Sequence, residues 1–188
     1  MIRRIAMVAA GVMFLGGNAF GEAKRVDFAL HQADGNKVFK LSEVKGKYVA
    51  LHFLLKTTCP YCIKHTHDVT RRAGEMPDVV QIFIKPDTEE EIEKWSVRLG
   101  KKFEKGEDAH LPVIYRDPDA QLAKRFDIPF GYKFHGELVH YPALILLGPG
   151  GNEVFRYAGE NNGDRFSFDQ LKAKVAEVKK AKKKGDGE

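Results

Sequence analysis

Two periods of apolar spacing alternate along the chain. Continuous apolar runs at 48–55, 79–84 and 143–147 are bounded by turn residues and suit strands buried on both faces. Between and after them the spacing becomes helical. Cys62, Thr66, Val69 and Ala73 recur at helical intervals up to Gly74, and Ile92, Trp95 and Leu99 do so behind a Thr88–Glu91 capping box. Residues 119–126 make a short helix; Phe168, Leu171, Val175 and Val178 form the stripe of a last one, capped by Ser167 with Gln170. Shorter strands are expected at 26–30 and 37–41, where they flank Asp34-Gly35-Asn36 as a hairpin, at 111–115, and at 154–157 after the glycine-rich turn 148–152. A brief helical turn fits 42–46, and 128–140, rich in Pro, Gly and aromatics, reads as an irregular loop. Strands alternating with helices predict an α/β sandwich, with a mixed sheet because hairpins sit at both ends.

Composition narrows this picture. The chain has 188 residues, 43% of them apolar and 30% charged, which fits one globular domain and excludes collagen-like, coiled-coil and wholly disordered chains. Its net charge of +5 is localised. Arg3 and Arg4 precede the apolar run 5–15 and a small-residue exit at Ala19-Phe20-Gly21. This is the pattern of a secretory signal peptide, with cleavage expected after Gly21 and Ala23 as the second position; the run is too short to span a bilayer. From Lys172 onward seven lysines face three acids, as expected for a solvated helix end. The body between is near neutral, so the charge supports neither a nucleic-acid partner nor lasting membrane attachment. The expected organisation is a leader over 1–21, one domain over 22–178 and a lysine-rich tail over 179–188.

Cys59 and Cys62 are the only cysteines. In Cys59-Pro60-Tyr61-Cys62, Cys59 takes an N-cap place and Pro60 the first helical position. Two cysteines three apart at a helix start can close a disulfide, while the helix dipole and free N–H groups stabilise the first thiolate. Cys59 is expected to be the exposed nucleophile and Cys62 the resolving thiol. A purely structural staple is the weaker alternative, since a ring this small contributes only about 2 kcal/mol. Structural zinc needs four ligands, and no second cysteine pair exists.

Thr58-Cys59-Pro60-Tyr61-Cys62 behind an apolar strand, with Tyr141-Pro142 ahead of a later one, resembles the thioredoxin superfamily. The resemblance implies a thioredoxin-like three-layer sandwich with a mixed central sheet and an N-terminal hairpin. It also implies that Pro142 is cis beside the disulfide, that Tyr141 presents backbone to the partner, and that Pro60 and Tyr61 belong to the substrate surface. Asp27-Phe28-Ala29-Leu30, Asp34-Gly35, Leu41-Ser42, Gly46-Lys47-Tyr48, Asp117-Pro118-Asp119 and Gly148-Pro149-Gly150-Gly151 are similar to the redoxin branch, which holds secreted thioredoxin-like proteins and peroxiredoxins. With Cys62 placed at the peroxidatic position, the family's threonine, proline and arginine positions hold Cys59, Leu55 and Tyr141, three departures from the peroxidase pattern.

The resemblance therefore implies a cofactor-free oxidoreductase that exchanges disulfides with protein thiols through Cys59 and Cys62, and the leader pattern adds that it is expected to be exported. Peroxide reduction and copper delivery by the two cysteines plus a histidine are the alternatives; copper-delivering relatives space the cysteines one residue further apart. Of His52, His65, His67, His110, His135 and His140, His65 and His140 are placed to tune the thiols. Phe130, Tyr132 and Phe134, with Lys133 and His135, either line a partner groove or tuck the 129–139 segment onto the body.

Overall fold

The computed structural model describes residues 27–33, 35, 37–56, 59–103 and 111–185. The leader 1–21 with its cleavage site, Asp34 and Asn36 of the first turn, Thr58, His110, and the last three residues lie outside the described residues. A small hairpin of β1 (Ala29–His31) and β2 (Val38–Lys40) opens the described chain. The central sheet contains β3 (Tyr48–Phe53), β4 (Val79–Lys85), β5 (Ile114–Arg116), β8 (Ala143–Leu147) and β9 (Glu153–Ala158) in the order β5-β4-β3-β8-β9. The first three are mutually parallel, β8 runs antiparallel to β3 and β9 antiparallel to β8, so the sheet is mixed as expected.

Alternation along β3 divides the core. Val49, Leu51 and Phe53 face a cluster with the N-terminal hairpin and with Leu122, Ala123 and Phe126 of and just after α3 (Gln121–Arg125). Tyr48, Ala50 and Leu54 face the opposite cluster, built with α1 (Pro60–Arg72), α2 (Glu89–Gly100) and α4 (Phe168–Gly185). Trp95 and Phe168 are its large fully buried anchors. The caps read from sequence are present: Thr88 and Glu91 form a reciprocal box, and Ser167 with Gln170 does likewise. A further cap comes from Asp117, whose carboxylate accepts the Leu122 and Ala123 N–H groups at 2.7 and 3.0 Å and so starts α3. α4 continues through the lysine run to Gly185 and is tied to the region after α1 by Lys172–Glu75 (2.6 Å) and Lys179–Asp78.

The largest departure from the sequence reading is at 128–140. Instead of an irregular loop it holds a second hairpin, β6 (Phe130–Phe134) and β7 (Glu137–His140). His135 and Gly136 make its two-residue turn with positive φ at both positions, a geometry that the sequence signalled only through Gly136. The aromatic side chains are divided: Phe134 is buried, Tyr132 half-buried, and Phe130 exposed together with Leu138.

Candidate active site

Strand β3 leads into Leu54 and Leu55, both buried, and α1 then starts at the carboxyl end of the sheet. Cys59 is extended at the N-cap, and its Sγ accepts the Cys62 N–H at 3.2 Å. Pro60 at the first helical position has no N–H to leave unpaired. The two cysteines are free thiols. Neither is exposed: both are at 0% and belong to the α1–α2–α4 core. The expectation of an exposed Cys59 is thus corrected, and the reason lies 106 residues downstream, where the turn after β9 lays Arg165 over the pair. Arg165 Nη2 donates to Cys62 Sγ at 3.1 Å and to Cys59 Sγ at 3.6 Å.

The two sulfurs are electrostatically unequal. The hydrogen bond from the Cys62 thiol is the largest influence lowering Cys59; Arg165, the Cys62 N–H and Lys85 add to it against the opposing effect of burial, and bring Cys59 down to about 6. Cys62 is pushed well above the ordinary thiol range, first by burial and then by its bond to Cys59. Lys85 is itself fully buried at the end of β4, paired with Asp87 at 3.1 Å, donating to the Leu55 carbonyl at 2.5 Å and lying over the Trp95 ring. The surroundings therefore favour ionisation of Cys59 over Cys62, with Arg165 and Lys85 both stabilising the Cys59 thiolate.

Tyr61 is exposed beside the dithiol, and Pro60 is exposed next to it. Pro142 stands immediately before β8 and shares a narrow cavity with Arg165, His52 and His65. The Tyr141–Pro142 peptide is trans, which corrects the cis expectation: in this conformation Pro142 enters β8 as an ordinary strand-leading proline, its carbonyl accepting the Gly159 N–H at 2.8 Å. Nor does Tyr141 present free backbone. Its N–H donates to Pro129 at 2.8 Å, and its carbonyl is bonded by His140 Nδ1 at 2.7 Å, so the second hairpin occupies the positions expected for a partner.

The histidines pair with other groups. His52, buried on β3, meets His65 Nε2 through Nδ1 at 2.9 Å and Gln81 Oε1 through Nε2 at 2.8 Å, and stacks on Phe83. Burial lowers His52 to about 4 and His65 well below the usual range, with the His52–His65 proximity adding to the latter. His140 is buried with its ring edge-on to Phe53, and His67 packs on Phe103. Among the described residues no three His, Cys, Asp or Glu side chains are grouped to hold a metal ion. Arg165 is the residue in contact with the dithiol that the sequence reading missed; its only local signal is a basic residue in a polar turn ahead of the Ser167 cap.

Comparison with known proteins places this geometry. The AhpC/TSA family matches residues 22–152. No match to a curated relative is found. Among solved structures, the Xanthomonas campestris bacterioferritin comigratory protein, whose alkyl peroxide reduction has been analysed structurally, superposes with a TM-score of 0.60 at 18% identity, covering 82% of this chain and 91% of its own. A cysteine-to-serine variant of Arenicola marina peroxiredoxin 6 gives 0.67 at 15%, covering 79% and 69%. Enterococcus faecalis AhpC gives 0.66 at 15%, covering 85% and 92%. At these identities the structural likeness establishes the thioredoxin-like fold.

Proposed function

The chain belongs to the AhpC/TSA family of redoxins, and on that premise we propose that it is an exported dithiol oxidoreductase exchanging disulfides with protein partners through Cys59 and Cys62. The observation that carries the reading is the inequality of the two sulfurs, Cys59 lowered to about 6 and Cys62 held protonated by burial. In the reducing direction the Cys59 thiolate attacks a partner disulfide. One Cys59–partner bond forms, the partner S–S bond breaks, and one partner thiolate leaves. Cys62 then loses its proton and attacks Cys59 Sγ, closing the Cys59–Cys62 disulfide and releasing the second partner sulfur. The partner gains two electrons and the dithiol loses two; the reverse sequence oxidises a partner dithiol. No cofactor takes part. Pro60 and Tyr61 are the exposed residues beside the dithiol for a partner to contact, whereas Pro142 is buried and, like the bonded Tyr141 backbone, meets a partner only if its surroundings open. Export rests on the leader pattern at 1–21.

A second reading is favoured by the family and by Arg165. Of the three departures from the peroxidase pattern, the missing arginine is offset in space, because Arg165 brings a guanidinium to both sulfurs. In that reaction the Cys59 thiolate, the more readily ionised sulfur although Cys62 is the one aligned with the family's peroxidatic position, takes the terminal oxygen of a hydroperoxide, becoming a sulfenic acid as an alkoxide leaves and is protonated by water, and the Cys62 thiol then displaces water to give the same disulfide. Replacement of the resolving thiol separates the two. Cys62→Ser should accumulate a Cys59 mixed disulfide with a reducible protein such as insulin, and wild-type protein should oxidise far faster with that disulfide than with an alkyl hydroperoxide. Rapid oxidation by the hydroperoxide, with no trapped protein adduct, establishes the peroxidase instead.

A further inference from the structure

Both sulfurs are fully covered, although either chemistry requires a collision with an outside atom. Part of that cover is Arg165, carried on the turn 159–166 between β9 and α4, and the turn is braced by its own residues and by β9. Asp164 accepts from the Glu160 N–H at 2.9 Å and from the Tyr157 hydroxyl, Asn161 Oδ1 accepts the Gly163 N–H at 2.9 Å, and the Asn162 carbonyl accepts Arg165 Nε at 3.2 Å. These bonds tie the residues of the turn to one another. Outward, Arg165 reaches the sulfurs, the Tyr61 ring abuts Gly163, where an added Cβ would lie 3.4 Å from it, and the Asn162 N–H donates to the Tyr132 hydroxyl at 3.0 Å.

Tyr132 lies on β6, in the second hairpin and not in the central sheet that leads into α1. Its ring is held between Tyr141, at 5.3 Å between centroids, and Phe134, at 6.2 Å. Packing fixes the ring, and the hydroxyl is left to hold the turn. Two sizes of opening follow. Swinging the half-buried Arg165 side chain aside makes room for a small molecule, whereas a polypeptide at Cys59 needs the whole turn displaced, which breaks the Tyr132–Asn162 bond.

We infer that Tyr132 is a specificity-determining residue: its hydroxyl latches the 159–166 turn over the dithiol and restrains large partners more than small ones. The inference deepens the proposed dithiol function and uses the same two sulfurs. The net contribution of one hydrogen bond corresponds to a roughly three- to tenfold rise in the open form when it is lost. Tyr132→Phe keeps the ring stack and removes only the latch.

The test compares alkylation of Cys59, read by peptide mapping, with iodoacetamide and with a maleimide carried on a long polyethylene glycol. Tyr132→Phe is expected to raise the rate with the bulky reagent about three- to tenfold and to speed hydrogen exchange at the Asn162 amide. The iodoacetamide rate and the pH midpoint of Cys59 alkylation should stay unchanged. Equal acceleration with both reagents, which marks a generally loosened site, or acceleration with neither, overturns the latch. Alkylation needs no turnover, so failure of the disulfide-exchange assay would refute the function and leave this result standing.

Discussion

Arg165 Nη2 lies 3.1 Å from Cys62 Sγ, although 103 residues separate them, and the same nitrogen is 3.6 Å from Cys59 Sγ. A permanent cation at that distance favours the thiolate of whichever sulfur can ionise. Arg165→Gln is therefore expected to move the pH midpoint of Cys59 alkylation upward from about 6 by roughly one unit, lowering the iodoacetamide rate about tenfold below the midpoint. An unchanged midpoint would show that the Cys62 bond and the helix terminus suffice.

The His52–His65 pair predicts acid sensitivity. Burial sets the folded His52 near 4, below its ordinary value of 6.5, so the unfolded chain binds the extra proton first. The stability gained is fully present above pH 6.5 and is lost as pH falls toward 4, by about 3 kcal/mol for His52 alone. His65, shifted in the same direction, steepens the loss. Urea midpoints measured across this window should fall less for His52→Gln than for wild type.

At Gly159 the backbone approach is too close for any side chain. An added Cβ would stand 2.2 Å from the Asp164 carbonyl oxygen and 3.2 Å from the Pro142 ring. Gly159→Ala should destabilise the protein by about 1–3 kcal/mol, seen as a lowered Tm, and should expose the thiols to both small and bulky alkylating reagents.

Lys85 and Asp87 are both fully buried and 3.1 Å apart. Removing one charge strands the other, and Asp87→Ala should cost about 3–5 kcal/mol in denaturant unfolding. The double replacement Lys85→Met with Asp87→Leu should cost less than Asp87→Ala alone. Loss of Lys85 also removes a cation that lowers Cys59, so the double variant should show a raised alkylation midpoint.

What was legible in the sequence were the features that local rules govern. The three apolar runs became β3, β4 and β8, the capping pairs at Thr88 and Ser167 closed as expected, and Cys59 stood at its N-cap. The β6–β7 hairpin was hidden because its turn uses His135 at positive φ, where a non-glycine residue gives little warning. Asp117 was hidden as a cap because its carboxylate reaches forward five and six residues instead of the usual two or three. Arg165 was hidden for a different reason. It meets the cysteines only after β8, β9 and the 159–166 turn are in place, so its proximity is a property of tertiary structure.

Placing both sulfurs inside the α1–α2–α4 core has a thermodynamic corollary. Folding and disulfide formation share a closed cycle, so the difference in unfolding free energy between reduced and oxidised protein must equal the difference in reduction potential between the unfolded and folded chain. Every 30 mV corresponds to about 1.4 kcal/mol in that comparison. Paired denaturation curves of the two forms would thus measure, without any redox partner, whether native packing makes this dithiol an electron donor or an acceptor.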